Sequence, residues 1–220
     1  MAKLAVHQRE RFSATQPLPG VPELLHTLHE ATSPAVHIAL ATSSHRGNFD
    51  LKTGHLGHLF TVFSDERRVL GDDPQIPEGK GKPAPDIYLL ALKTVNAGIR
   101  REGVEKEIWP EECLVFEDSV PGIESGRRAG MRVIWCPHPE LLKEYKGREK
   151  EVLAGLTGVH KETEDQQVVA AVEEDIEGKE RRSGQRVAGA PGKIDDGWGE
   201  LLETLENFPY KRYGIKVDKR

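Results

Sequence analysis

The chain has very little cysteine, no long apolar run and no excess of basic residues. Its 220 residues include only two cysteines, Cys113 and Cys136, which are too few for a disulfide framework. Both lie in apolar, strand-like runs, so we predict two reduced core thiols of a cytoplasmic protein. No apolar stretch is long enough to span a bilayer. The net charge of -5 argues against a nucleic-acid partner, because nucleic-acid binding usually requires a basic surface.

Apolar residues follow a rhythm of strands and helices between residues 17 and 142. Leucines 24, 25 and 28 recur at helical spacing, and two further helical patterns run from Ile87 to Gly98 and from Pro121 to near Gly130. Short apolar runs predict strands near residues 36–41, 67–71, 113–117 and 132–136. Strands that alternate with helices in this way indicate an α/β fold, a parallel sheet with helices on both faces.

The two ends of the chain and one internal stretch differ from this core. Residues 1–16 are typical of the end of a helix. Residues 143–197 are rich in Glu, Lys, Asp, Gln and Gly, and such a segment cannot bury enough apolar surface to offset its ordering entropy. We therefore predict a disordered insertion there. Residues 198–220 begin with Trp198 and Leu201 and are predicted to form a final packed element and a tail.

Polar groups stand at two strand ends and one helix start. Thr42 and Ser43 follow the first predicted strand, Glu117 and Asp118 follow the third, and Lys82 precedes a helix. Ligands of parallel α/β sheets bind at the carboxyl ends of the strands. Hydroxyl and backbone N–H groups suit phosphate oxygens, and carboxylates suit Mg²⁺. Each group alone is commonly a turn or cap residue, so it is their combination in this order that indicates a site.

Two other polar pairs are predicted to be surface features. Arg127 and Arg128 lie in a helical pattern and are expected to be solvated. His55 and His58 are three residues apart and could share a helix face. Without acids or cysteines nearby, an exposed face is favoured over a metal site.

Three sequence blocks together resemble a known family. ALATSS (39–44), GKPAPDIY (81–88) and LVFEDSVPGIESGRRAGM (114–131) resemble motifs II, III and IV of the haloacid dehalogenase (HAD) superfamily. The resemblance covers roughly residues 17–140 and is strongest to the subfamily with a helical cap. ALATSSHRGNFDLKT followed by GDDP is similar to pseudouridine-5′-phosphatases and their fungal relatives. By this resemblance residues 1–16 would be the remnant of a cap helix.

The resemblance implies a role for each residue of the site. Thr42 and the backbone N–H of Ser43 would bind the transferring phosphoryl group, and Lys82 would neutralise it. Glu117 and Asp118 would hold Mg²⁺, directly or through water. The implied protein is a Mg²⁺-dependent phosphatase, expected as a monomer, that acts on a small sugar- or nucleoside-monophosphate, with pseudouridine 5′-phosphate as one candidate. Such charge neutralisation and positioning is what phosphoryl transfer requires.

One element that the resemblance implies is missing from these 220 residues. Motif I of the family is a central strand followed by Asp-x-Asp, whose first Asp is the nucleophile, and the sequence contains no Asp-x-Asp. We therefore expect the central strand, between the 36–41 and 113–117 strands, and most of the helical cap to be absent. We also expect at most trace hydrolysis by this truncated chain. The alternatives are a non-catalytic protein that binds phosphometabolites or a partner, and a glycerol-phosphate phosphatase or phosphomutase.

Overall fold

The computed structural model describes residues 12–103, 105–158 and 190–218, and its fold is α/β with parallel sheets. The chain divides into two units, residues 1–73 with 204–220, and residues 74–203. Most of the predicted helix remnant at residues 1–16, and residues 159–189 of the predicted disordered insertion, lie outside the described residues. The two units are taken in turn.

The first unit contains one short parallel sheet among helices. Its elements are α1 (Val21–Glu30), β1 (Leu40–Ala41), α2 (Arg46–Thr53), α3 (Gly57–Phe60) and β2 (Arg68–Val69). Helix α1 buries Leu24 and Leu28, as its leucine spacing predicts. Strands β1 and β2 run parallel, with Leu40 opposite Arg68 and Ala41 opposite Val69.

The C-terminal residues complete the first unit. Leu205 is buried, and its backbone N–H donates to Pro19 O at 3.0 Å. This close approach requires glycine at position 20, because a Cβ there would collide with the Leu205 backbone and the residue has a φ of 84°. The Phe208 ring stacks on Tyr213 at 5.0 Å between centroids.

The second unit is a three-stranded parallel sheet with helices packed against it. Its elements are α4 (Asp86–Glu102), β3 (Leu114–Glu117), α5 (Val120–Arg128), β4 (Arg132–Trp135), α6 (Pro139–Glu144), α7 (Glu149–Ala154) and β5 (Gly199–Leu201). The strand order is β3-β4-β5, with Val115 opposite Val133 and Trp135 opposite Leu201. Helix α5 packs on β3 and β4, while α7 packs on β5. The core is therefore made from the apolar runs that predict strands.

The four predicted strands are found, but not in one sheet. They are shorter than predicted, two residues each for β1 and β2, and form two separate parallel sheets, β1-β2 and β3-β4-β5. This agrees with the predicted α/β fold, in which the central strand between the 36–41 and 113–117 runs was expected to be absent.

Helix α4 extends beyond its predicted end. Gly98 was expected to end it, but the helix continues to Glu102 and ends before Gly103, which has a φ of 66°. Gly98 and Ile99 are both buried, so the apolar face of the helix continues past the glycine. Packing on that face outweighs the modest intrinsic cost of glycine within a helix.

The charged stretch 143–197 is not disordered throughout. Helix α7 lies within it and buries Val152 and Ala154 completely. Later in the same stretch, the Gly192 N–H donates to Ala154 O, at the end of α7, at 2.7 Å. Packing of these two buried residues holds the short helix on an existing core, and the average composition of the stretch does not reveal it.

The prediction that Arg127 and Arg128 are solvated was wrong, because they are only 1% and 3% exposed. Arg127 Nη2 lies 2.5 Å from Asp196 Oδ2, and Arg128 Nη2 lies 3.0 Å from Glu124 Oε1, one turn earlier on α5. Buried guanidinium groups require such carboxylate partners. One partner is 69 residues away in sequence, so a local pattern could not indicate it.

Three smaller predictions concern thiols, histidines and membranes. Cys113 and Cys136 are both free thiols, with Cys136 buried, as predicted. His55 and His58 are exposed, which agrees with a solvated face. None of the helices in the described ranges is long and apolar enough to cross a membrane.

Candidate active site

The carboxyl end of β3 holds a buried carboxylate, Glu117, whose side chain is only 7% exposed. It lies directly against the backbone of Gly122 in the first turn of α5, where any Cβ would collide with it. Glycine at position 122 is therefore what allows the carboxylate to occupy this place. The polypeptide turns from strand to helix around this side chain.

Ser119 joins that carboxylate to the start of α5. Its Oγ accepts from the Gly122 N–H at 3.2 Å, which caps the helix. The same Oγ donates to Glu117 Oε2 at 2.8 Å, and the Ser119 N–H donates to this oxygen at 3.2 Å. One serine thus fixes both the helix start and one oxygen of Glu117.

The other oxygen of Glu117 accepts from two side chains of the GKPAPDIY segment. Lys82 Nζ forms a short, buried ion pair with Oε1, and the Tyr88 hydroxyl donates to the same oxygen at 2.5 Å. Lys82 Nζ also lies 4.8 Å from the centroid of the Tyr88 ring, within the range of a cation–π interaction. Burial, reinforced by the charge of Glu117, raises the pKa of the Tyr88 hydroxyl well above its usual value. The hydroxyl therefore stays protonated and able to donate.

Asp118 differs from Glu117 in exposure. Asp118 is exposed, and its backbone oxygen accepts a hydrogen bond from the indole Nε1 of Trp135 at 3.2 Å. Trp135 is completely buried, so a rigid core residue fixes the backbone beneath this acid. Burial and the charge of Asp118 raise the pKa of the Cys136 thiol at the end of β4. Of the two acids, Asp118 is the one presented towards solvent.

Glu117 and Asp118 are the two acids of this cluster that could contact a divalent cation. Within the described ranges there is no cluster of three or more His, Cys, Asp or Glu side chains suited to a metal. Mg²⁺ commonly takes only one or two protein carboxylates and keeps several waters. A carboxylate has about four lone-pair positions, and Glu117 already accepts four hydrogen bonds. Asp118 is therefore the acid better suited to direct contact.

Thr42 and Ser43 lie in the first unit, in the loop after β1. The Thr42 N–H continues the sheet by donating to Val69 O at 3.0 Å, and its Oγ1 accepts from the Ser44 N–H at 3.2 Å. The Ser43 backbone packs so closely on Gly71 that a Cβ at position 71 would collide with it. The carboxylate of Asp72 accepts from the N–H of Arg46 at 3.0 and 3.1 Å.

The structure therefore brings together only part of the site predicted from the sequence. Lys82 and Glu117 are in contact, and Asp118 follows directly in the chain. The convergence of Thr42 and Ser43 with these residues stays a prediction, because they belong to different units.

Two residues of the cluster, Tyr88 and Ser119, were missed at the sequence level. Tyr88 ends the segment GKPAPDIY, and Ser119 lies in LVFEDSVPGIESGRRAGM. A tyrosine among apolar helix residues needs a partner for its hydroxyl, and a serine before Val-Pro is a typical N-cap. These signals indicate that each residue bonds to something, but they do not identify Glu117 as the partner.

Comparisons with known proteins place this site in a family context. A family profile described as haloacid dehalogenase-like hydrolase matches residues 3–130. A probable pseudouridine-5′-phosphatase of Saccharomyces cerevisiae is 44% identical over 60% of this chain and 52% of its own length. A protein of the same name from Drosophila melanogaster is 40% identical over 64% of this chain and 54% of its own.

A third relative has a different name. The mitochondrial (DL)-glycerol-3-phosphatase 1 of Arabidopsis thaliana is 36% identical over 67% of this chain and 45% of its own length. The chain thus spans about half the length of these curated relatives. The matched region contains all the residues predicted to form the site.

Proposed function

The chain belongs to the haloacid dehalogenase-like hydrolases, and we propose that its site serves the hydrolysis of a small sugar- or nucleoside-monophosphate. The observation that carries this proposal is the buried Lys82–Glu117 ion pair beside the exposed Asp118. It combines a cation for a phosphate with an acid for a metal. Phosphoryl transfer depends on this kind of positioning and charge neutralisation.

Lys82 is proposed to neutralise the phosphoryl group. Its amine is held in a buried pocket, only 8% exposed, and a charge in such surroundings acts more strongly on an anion than one in water. Glu117 holds the lysine when no phosphate is bound. A lysine kept in place by a carboxylate is ready for an anion without having to be ordered first.

Thr42 and Ser43 are proposed to bind the oxygens of the same phosphoryl group. Because Thr42 Oγ1 accepts from the Ser44 N–H, its hydroxyl proton can be donated to an anion. The close packing of Gly71 on the Ser43 backbone supports a loop of fixed shape. A hydroxyl and backbone N–H groups after a strand are common phosphate donors.

Asp118, with Glu117 beside it, is proposed to hold Mg²⁺. When bound, the ion would polarise a phosphate oxygen and offset the charge that develops on it. Asp118 supplies the exposed carboxylate. Glu117 adds negative charge beside the ion, and it could reach the ion through water only when one of its four hydrogen bonds opens.

The names of the relatives support two substrate classes. Two are named pseudouridine-5′-phosphatases and one is a glycerol-3-phosphatase. We place pseudouridine 5′-phosphate first, because the residues 39–53 and the GDDP turn are those most similar to that subfamily. The free thiols of Cys113 and Cys136 support a reducing compartment such as the cytoplasm.

The test is release of phosphate from pseudouridine 5′-phosphate and glycerol 3-phosphate with Mg²⁺ and with EDTA. This chain by itself should show at most a trace of turnover, because its 220 residues contain no Asp-x-Asp. In a chain extended by an Asp-x-Asp strand, we expect Mg²⁺-dependent turnover that falls about 100-fold or more in Asp118→Asn, because a metal ligand is lost. Glu144→Gln, which removes one exposed charge from α6, is the matched control and should keep full activity. Turnover that is indifferent to Mg²⁺ and to Asp118 would contradict the proposal.

A second candidate is a binding function without catalysis, favoured by the lack of Asp-x-Asp in these 220 residues. In that case the chain would bind inorganic phosphate in a Mg²⁺-dependent way but release none from either ester. Calorimetric titration with inorganic phosphate, run beside the turnover assay, separates the two candidates. If the chain shows no binding of phosphate and no turnover, both candidate functions are rejected.

A further inference from the structure

Tyr88 is a buried polar residue to which none of the proposed steps gives a role. We propose that it is a positioning residue that keeps the Lys82–Glu117 ion pair able to open, acting through Glu117 Oε1. The inference rests on the proposed function in one respect only, that Lys82 must leave Glu117 to meet a phosphate. The effect of Tyr88 on the pair itself is independent of what the lysine then binds.

The geometry shows two donors competing for one oxygen. Tyr88 donates to Glu117 Oε1 at 2.5 Å, and Lys82 contacts the same atom. The other oxygen, Oε2, accepts from the N–H and the Oγ of Ser119. Tyr88 is therefore placed to change the charge that Lys82 meets, while Ser119 keeps the carboxylate in its orientation.

The opening of the pair explains why a second donor is useful. When Lys82 moves away, Glu117 remains a buried carboxylate, and a buried charge without enough partners is strongly unfavourable. The Tyr88 hydroxyl continues to donate to the oxygen that the lysine leaves. Without it, that oxygen would lose both donors at once, and the lysine would be held more tightly.

The simpler interpretation is that Tyr88 only fills the core and satisfies its own hydroxyl. The two interpretations differ in what happens when the hydroxyl alone is removed. Tyr88→Phe keeps the ring under the Lys82 amine. If the hydroxyl assists opening of the ion pair, the Lys82 amine becomes less accessible to a reagent in Tyr88→Phe. If the ring only packs, the accessibility of the Lys82 amine in this variant is unchanged or increases.

The experiment measures acetylation of Lys82 in the full 220-residue chain at one fixed pH, by mass spectrometry of the modified peptides. Lys93 is the internal standard, because it is exposed on α4, the helix that also carries Tyr88. We expect Tyr88→Phe to slow acetylation of Lys82 about tenfold or more, the scale of one hydrogen bond to a charged group. Tyr145→Phe is the matched control, since that ring lies edge-on to Trp135, and it should leave the rate unchanged.

Two further variants test whether the hydroxyl acts through Glu117. In a Glu117→Gln background the carboxylate charge is gone, so Tyr88→Phe should no longer slow Lys82. 4-Aminophenylalanine at position 88 restores an N–H donor and should restore the rate. 4-Fluorophenylalanine at position 88 fills the space of the hydroxyl but does not donate, so it should slow acetylation of Lys82 as Tyr88→Phe does. It also replaces Tyr88→Phe in the test if that variant does not fold. A Lys82 rate that is equal or faster in the non-donor variants overturns the inference.

Titration of the same variants with inorganic phosphate and Mg²⁺ separates this inference from the proposed function. Slower acetylation together with weaker phosphate binding supports both. Slower acetylation with phosphate binding absent or unchanged supports the role of Tyr88 and rejects that of Lys82 at phosphate. Unchanged acetylation with normal phosphate binding rejects the role of Tyr88 and leaves the proposed function intact.

Discussion

The end of β3 and the loop after β1 both present polar groups where a parallel strand ends, yet they are held by different means. At the end of β3, side chains make the arrangement, because Glu117 accepts from Lys82, Tyr88 and Ser119. In the loop after β1, backbone contacts dominate. Thr42 donates to Val69 O, and the Ser43 backbone rests on Gly71. The geometry of the first region is therefore held by a network of charged and polar side chains, and that of the second by backbone contacts.

Gly122→Ala should have the largest effect and would test the side-chain region. The new Cβ would meet the Glu117 carboxylate, so the carboxylate must leave its bonds to Lys82 and Tyr88. We expect a loss of about 3 kcal/mol in the free energy of unfolding, from overpacking and broken hydrogen bonds. The measurement is unfolding in urea, monitored by circular dichroism.

Gly81→Ala is the control for that change, since nothing lies within 4 Å of a Cβ built at position 81. It should alter the free energy of unfolding by less than about 0.5 kcal/mol. Equal stability of Gly122→Ala and the wild type would show that the carboxylate network contributes little.

Gly71→Ala should have a smaller effect and would test the backbone region. Here the Cβ would meet the Ser43 backbone, which can move only by distorting the loop. We expect a loss of about 2 kcal/mol in the free energy of unfolding, together with weaker binding of inorganic phosphate. Because Glu117 is untouched, Lys82 should be acetylated at the wild-type rate. A variant that binds phosphate normally would show that the loop shape does not matter for the anion.

Asp72→Asn should have the smallest effect, and it depends on pH. The N–H of Arg46 donates to the Asp72 carboxylate and lowers its pKa below the usual 3.8. A group whose pKa is lower in the folded state stabilises the protein above its unfolded pKa, and this contribution is lost as the pH falls through the folded value. The wild type should therefore have a slightly higher Tm than Asp72→Asn at pH 7, and this difference should shrink and disappear as acid protonates the Asp72 carboxylate. A difference that persists or grows in acid would contradict this assignment.

The sequence alone indicated which polar residues to consider at the end of β3, but not the hydrogen bonds between them. Lys82 and Glu117 were identified because each stands at a strand end or helix start. The hydrogen bond from Tyr88 and the burial of Arg127 could not be predicted. Both depend on partners far along the chain, 29 residues away for Tyr88 and Glu117 and 69 for Arg127 and Asp196.

The order of strands and helices, their parallel pairing and the polar residues at their ends were determined by the sequence itself, because periodicity and turn residues act over a few positions. Tertiary structure decided which of these groups are buried, which atoms they share, and where the sheet is interrupted. Those outcomes depend on energies of packing and pairing between distant segments. Glu117 shows the difference most clearly: its position after a strand is local, whereas its role as the shared acceptor of Lys82 and Tyr88 exists only in the folded chain.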